Sequence, residues 1–315
     1  MKAAVVENFN FGPQYKENYA NPILEKNQVV VNVTASALSN RARSGADGSH
    51  YAEKSVLPMI PGVDGVGHLS NGQKVFFVGN GTFAEQVAIA RGHWVTVDDA
   101  LDDVKIAGMM NPALSSWMAL KYRADFKRGQ KVMILFATGN AGALAVQIAK
   151  RLGASEIIAV GRNATKLAAL KQLGATQTIS IADDVHAYQE KLAVAGKDID
   201  IILDYLWGNV AANVMTAIIP HRMHDGQELK WVEIGSSSGQ ISPIPGAAFR
   251  AVRLQLIGSG QGSVGARAVI QSLEEILISE QAQPFEFKAQ AVYLSQVATL
   301  WDNPGTERLV FVPGK

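Results

Sequence analysis

The sequence contains no cysteine. Disulfides, thiolate zinc sites, iron–sulfur clusters and a cysteine nucleophile are therefore excluded, and the chain fits a reducing compartment. An excess of either charge is missing too: 29 Lys and Arg against 28 Asp and Glu leave a formal net charge of +1. No global field draws such a chain to nucleic acid or to an anionic membrane. Long apolar runs are also lacking. The start, Met1-Lys2-Ala3-Ala4-Val5-Val6-Glu7, has only a short apolar stretch before an acid, below the roughly 7–15 residues of a secretory core. Nothing approaches the ~18–20 residues of a membrane span. The expectation is a soluble cytoplasmic protein whose partners include neither nucleic acid nor membrane.

What is present is apolar content, 48% against 18% charged, over 315 residues. That can build a large core, and the length exceeds the ~100–200 residues of one ordinary domain. Up to about Asn111 short β-like runs alternate with turns: Gln28–Val33, Lys74–Val78 and Phe83–Ile89 read as strands, with little helix. From Pro112 the rhythm becomes strand, helix, strand. Lys131–Thr138, Glu156–Gly161, Thr176–Ile181, Asp200–Tyr205, Trp231–Gly235 and Arg253–Gly258 are the strands, and Ala143–Leu152 and Thr165–Leu173 are helices, the second closed by Gly174. Ala266–Ile278 reads as a helix, Phe285–Leu294 as strand and turn, and Leu309–Val312 as a last strand. The alternating middle predicts a parallel sheet covered on both faces. The fold class is α/β, with a β-rich domain built from both chain ends (1–112 and 265–315) and an α/β domain over 113–264.

The most informative stretch runs from Lys131 to Lys150. A strand leads into Ala137-Thr138-Gly139-Asn140-Ala141-Gly142 and then into a helix. This is the dinucleotide fingerprint with alanine in the first glycine position. Gly139 would let backbone approach a pyrophosphate, Gly142 would let helix and strand pack closely, and the helix N-terminus would offer free N–H groups. The plainer alternative is a tight turn that only packs a sheet. At the end of the second strand, where NAD sites place an acid, the chain reads Val160-Gly161-Arg162-Asn163. Gly161 leaves room, Arg162 supplies a planar cation suited to a 2′-phosphate, and Lys166 adds a second charge. NADP(H) is the expected cofactor. Otherwise Arg162 and Lys166 are solvated charges at a helix start, a place mildly unfavourable to cations.

Pro61-Gly-Val-Asp-Gly-Val-Gly67, Gly81-Thr-Phe-Ala-Glu85, the turn Ala137–Gly142, Leu152-Gly-Ala154, Leu173-Gly-Ala175 and Asp200-Ile-Ile-Leu-Asp-Tyr205 resemble, in order and spacing, the medium-chain dehydrogenase/reductase superfamily, in its zinc-free quinone oxidoreductase (zeta-crystallin-like) branch. The resemblance implies a GroES-like catalytic domain and a Rossmann domain with the active site between them. Zinc-dependent members carry Gly-His-Glu where this chain has Gly62-Val63-Asp64, and they need cysteines. The six histidines form no cluster in sequence, and His221 and His224 read as a solvated loop. No metal is expected. The implied activity is NADPH-dependent hydride transfer to a quinone or α,β-unsaturated carbonyl, by a homodimer paired along Arg253–Gly258.

By the same resemblance Ser115 matches a hydroxyl near the nicotinamide. Gly235-Ser236 and Ser259-Gly260 follow two strands at the carboxyl edge, where such cofactors lie; alternatively they are ordinary strand-ending turns. Asn40 falls where zinc-free members often have Asn, placed to bond a substrate carbonyl, or else it caps a turn. Tyr51 lines the pocket or donates a proton, or else packs the domain edge. Asp64 supports its loop. Two other function classes stay open: a non-catalytic NADPH-binding sensor or crystallin-like protein, and a methyltransferase, which normally wants an acid where Arg162 stands.

Overall fold

Runs of Val, Ile and Phe become strands where neighbours cover them, and Gly, Asn and Asp mark the turns between. In the computed structural model, which describes residues 1–51, 56–182, 184–302 and 307–314, the strands are β1 (Ala3–Val5), β2 (Gln14–Lys16), β3 (Gln28–Ala37), β4 (Asp64–Leu69), β5 (Lys74–Val78), β6 (Gln86–Ala90), β7 (Trp94–Thr96), β8 (Lys131–Leu135), β9 (Glu156–Gly161), β10 (Gln177–Ser180), β11 (Ile201–Asp204), β12 (Leu229–Glu233), β13 (Leu254–Gly258), β14 (Ala289–Tyr293) and β15 (Arg308–Val312). The helices are α1 (Asn40–Ala46), α2 (Asp103–Met118), α3 (Asn140–Leu152), α4 (Ala164–Leu173), α5 (Val185–Ala195), α6 (Gly208–Ile218), α7 (Ala248–Ala251), α8 (Ala266–Ala282) and α9 (Val297–Leu300). The chain divides into unit 1 (Met1–Asn111, Leu273–Gln283 and Phe287–Lys315) and unit 2 (Pro112–Ser272 and Pro284–Glu286).

Unit 1 is built on a sheet ordered β14-β15-β3-β4-β5-β7, with β6 also on β3. Its pairings are antiparallel except β14 with β15. The long strand β3 pairs β6 along Gln28–Asn32 and β15 at Ser36 and Ala37, and its register with β4 shifts between Val33 and Ala35. Such a bulge re-aims a side chain, and the hydroxyl of Thr34 donates to Asp103 at 2.5 Å. One face buries Val31, Val75, Phe77 and Ile89. Another cluster gathers Phe83, Trp301 and Phe311, with Phe83 meeting Trp301 and Phe311 edge-on at 6.2 and 5.1 Å. Unit 1 contains more helix than its texture predicts. Ser39 caps α1 by accepting from Ala42 N–H at 2.9 Å, and α2 continues through Pro112.

Unit 2 is a six-stranded parallel sheet ordered β10-β9-β8-β11-β12-β13. Counted from β8 this is the 3-2-1-4-5-6 order of a dinucleotide fold, and the order reverses between β8 and β11. The central strands are covered on both faces and are the most apolar, while the edge strands β10 and β13 are partly exposed: Met133, Leu135, Ile158, Val160, Ile202 and Trp231 are all buried. Each such side chain contributes about 1.5–3 kcal/mol relative to exposure. Gly174 closes α4 as expected, and Asn163 caps its start by accepting from Lys166 N–H at 2.9 Å. Strand β8 ends at Leu135 rather than Thr138, because Phe136 turns to φ +69°. Among the described residues no helix is long and apolar enough to cross a membrane.

Candidate nucleotide-binding site

Parallel strands point their carboxyl ends at one edge, and the turns that follow them converge there. In unit 2 this edge holds a cavity of about 150 Å³. Phe136 and Thr138, after β8, form part of its lining. Gly161, Arg162 and Asn163 come from the end of β9, with Ile181 and Leu206 from the ends of β10 and β11. Three residues expected from the sequence, Thr138, Gly161 and Arg162, are thus brought together.

The glycines explain the tight geometry. A Cβ on Gly142 would stand 2.2 Å from the Phe136 carbonyl oxygen and 2.6 Å from Ala137 Cα, so helix α3 can approach β8 only without a side chain there. A Cβ on Gly161 would meet Thr138 Cγ2 at 2.7 Å. Gly139 differs from the expectation in its reason. Its φ is an ordinary −84°, and a Cβ would strike the Phe136 ring at 2.4 Å. The intolerance is set by the chain's own aromatic side chain. Gly139 is also the N-cap of α3 and supplies no side-chain acceptor. The first-turn N–H groups of Asn140, Ala141 and Gly142 are left without a capping oxygen, an arrangement that favours anions.

Arg162 and Lys166 are both exposed. The first turn of α4 contains no acid, and neither cation has an ion-pair partner among the described residues. At the ends of β12 and β13, Gly235 N–H donates to the Asp204 carbonyl at 3.2 Å, and the Ser236 carbonyl accepts from Gly239 N–H at 3.1 Å. Ser259 is buried, its N–H donates to the Glu233 carbonyl at 2.7 Å, and its hydroxyl oxygen has no partner. Gly260 is held in a closed turn, its N–H donating to Ser263 Oγ at 2.9 Å.

Two residues that sequence reasoning did not single out support this edge. Asp204 is fully buried; its Oδ1 accepts from Leu206 and Trp207 N–H at 2.8 and 2.9 Å, and its Oδ2 from Trp231 Nε1 at 2.9 Å. Burial pushes its carboxyl up, against the pull of those three donors. Burial also raises neighbouring Glu233, with Asp204 adding to the rise. Tyr205 is buried, which pushes its phenol up to about 12, opposed by its hydrogen bonding with Ser115 and Ser116. Ser115 donates to the Pro112 carbonyl at 2.7 Å and lies 3.2 Å from the Tyr205 hydroxyl. The available signal was positional: Phe136 and Tyr205 each follow the last residue of a central strand.

Asn40 and Tyr51 belong to unit 1. Asn40 is exposed in the first turn of α1, where Ser39 rather than Asn40 is the cap. Tyr51 is 74% exposed and stacks on His50 with ring centroids 4.2 Å apart. Asp64 opens β4, is buried, and accepts from Asn111 Nδ2 at 2.6 Å. Burial pushes its carboxyl up to about 6, opposed by Arg308 and by Asn111. Among the described residues no three His, Asp or Glu side chains are grouped to hold a metal ion.

A family model described as zinc-binding dehydrogenase matches residues 141–275. A protein of Emericella nidulans described as a probable NADPH-dependent quinone reductase is 27% identical, over 91% of this chain and 92% of its own length. A quinone oxidoreductase of Lama guanicoe is 29% identical over 65% of this chain and 66% of its own. Among solved structures, the quinone oxidoreductase of Thermus thermophilus, determined alone and with NADPH, superposes with a TM-score of 0.82 at 22% identity, covering 99% and 100% of the two chains. A mycobacterial quinone oxidoreductase gives 0.83 at 17%, with 99% and 100% covered. The chain is thus similar in sequence to quinone reductases over most of its length and shares the fold of quinone oxidoreductases, in line with the family resemblance carried by its motifs.

Proposed function

We propose that this chain is an NADPH-dependent oxidoreductase that passes hydride to a quinone or an α,β-unsaturated carbonyl without a metal. The observation that carries the reading is Arg162: a guanidinium with no ion-pair partner among the described residues, lining the cavity at the end of β9, where a ribose-binding acid would otherwise stand. The cofactor fits the residues present. The uncapped start of α3 suits the pyrophosphate through Asn140, Ala141 and Gly142. Arg162 and Lys166 suit the 2′-phosphate, and the orphaned Ser259 hydroxyl is a polar group in want of a partner. Gly235, Ser236 and Gly260 supply backbone along the same edge.

When bound, the nicotinamide supplies the hydride. The chain's own work is to hold and orient, since hydride transfer depends chiefly on placement in a dry site. Ser115, fixed by Pro112 and Tyr205, positions the nicotinamide. Asn40 and Tyr51 are the proposed substrate-facing residues. Metal-free chemistry is supported by the sequence: the histidine of Gly-His-Glu is Val63 and no cysteine exists. Relatives described as quinone reductases support the acceptor class. A cytoplasmic homodimer completes the reading, because β13 is the outer strand of its sheet and leaves Leu256 37% exposed, an edge that generally needs cover.

The test is the loss of NADPH absorbance with a panel of small quinones and enones, beside the same panel with NADH. Faster oxidation of NADPH supports the reading. Tight NADPH binding with no turnover would make the chain a binding protein instead.

A further inference from the structure

Four residues other than glycine have positive φ among the described residues: Asn27, Asp125, Phe136 and Trp207. Asn and Asp tolerate this region because their short polar side chains bond locally. Phe and Trp have no such excuse, and backbone strain of this kind gathers at ligand sites. Both aromatic residues follow the carboxyl ends of β8 and β11, the neighbouring strands at which sheet order reverses. Trp207 and Phe136 both pack on the unit 2 core, but only the Phe136 side chain also lines the cavity.

Nothing in the turn itself asks for a phenyl group. The Phe136 carbonyl accepts from Gly139 N–H at 3.1 Å, a bond that glycine at 136 would make equally well. What the ring adds is a surface. It lies across Gly139, where a Cβ would meet its carbons at 2.4, 2.8 and 3.0 Å, and it forms part of the same cavity lining as Gly161 and Arg162. An apolar aromatic face beside a free guanidinium suits a ligand with a flat base and an attached phosphate.

We infer that Phe136 is a cofactor-binding residue: its ring is the surface on which the adenine of a 2′-phosphorylated adenosine stacks, while Arg162 takes the phosphate. This rests on the reading of the cavity as the adenosine site of NADPH. The strained backbone at 136 carries the ring across Gly139, where it lines the cavity while still resting on the core.

The test is calorimetric titration of the full chain with adenosine 2′,5′-bisphosphate and with NADPH, for the wild type and for Phe136→Gly, Phe136→Leu and Phe136→Tyr. Stacking on an aromatic ring predicts a loss of about tenfold or more in affinity for the Gly and Leu variants, with Tyr close to the wild type. Thermal melting separates this from unfolding: Phe136→Gly suits the left-handed backbone and is expected to melt no lower than the wild type. If it does not fold, Phe136→Leu carries the test alone. Gly and Leu variants that bind the bisphosphate within about twofold of the wild type overturn the inference and leave the NADPH reading standing. A wild type that binds neither ligand overturns both.

Discussion

The hydroxyls of Tyr205 and Ser115 lie 3.2 Å apart, and the direction of their hydrogen bond is fixed by a third group. Ser115 has one hydroxyl hydrogen, and it points to the Pro112 carbonyl at 2.7 Å. Tyr205 is therefore the donor and Ser115 the acceptor. With its phenol raised to about 12, Tyr205 is a fixed donor at neutral pH and not a source of protons. Tyr205→Phe is expected to cost ~1 kcal/mol of stability, the net worth of a typical hydrogen bond. A double-mutant cycle with Ser115→Ala, read by urea unfolding, should return most of that as coupling. Additive effects would show that the two hydroxyls do not interact.

Arg162→Ala is expected to weaken NADPH by ~1.5–3 kcal/mol, the scale of a hydrogen bond to a charged group, and to leave NADH nearly unchanged. Titration of both cofactors checks it. Equal losses would move the 2′-phosphate away from residue 162.

Asp64 gives a pH dependence whose sign can be worked out. Its folded-state pKa of about 6 lies above the ordinary 3.8. Between those values the folded chain keeps a proton that the unfolded chain has lost. The contribution of this group is therefore greatest below pH 3.8, falls as pH rises through the window, and is constant above about 6. The total is ~3 kcal/mol, an order-of-magnitude figure for a shift of this size. Asp64→Asn should remove the slope, whatever constant offset the lost charge opposite Arg308 adds. Chemical denaturation of both proteins between pH 4 and 7 measures the difference curve, and parallel curves would contradict the burial argument.

Two glycines at this edge of the sheet should respond differently to alanine. At Gly142 the new methyl meets backbone, the Phe136 carbonyl at 2.2 Å, and strand and helix must part; the expected loss is ~3 kcal/mol or more. At Gly161 it meets the Thr138 side chain at 2.7 Å, which can turn aside, so ~1 kcal/mol is expected. Melting temperatures rank the two.

How much was legible in the sequence depended on whether the signal was local. Strands β8 and β9 announce themselves as apolar runs, and α4 carries its own cap in Asn163 and its own stop in Gly174. The fingerprint turn and Arg162 could be placed because strand, turn and helix follow within a short stretch. Helix α2 was hidden by Pro112, which reads as a break yet lies inside it. Helix α6 does bury one face, Ala211, Val214, Met215 and Ile218 at i, i+3, i+4 and i+7, but its small residues, Gly208, Ala211, Ala212 and Ala217, make that stripe a weak signal. The Phe136 ring and the Tyr205–Ser115 bond were not legible, since one depends on a backbone angle and the other on two residues far apart in the chain.

The carboxyl group of Asp204 ties two amides that follow β11 and the indole of Trp231 in β12 into one buried knot. Leu206 and Trp207 cannot release their amide protons without stranding that acid in the interior. Their exchange with deuterium should thus wait for rupture of the whole parallel sheet, so that the floor beneath the cofactor behaves as part of the slowest-opening core rather than as a loop.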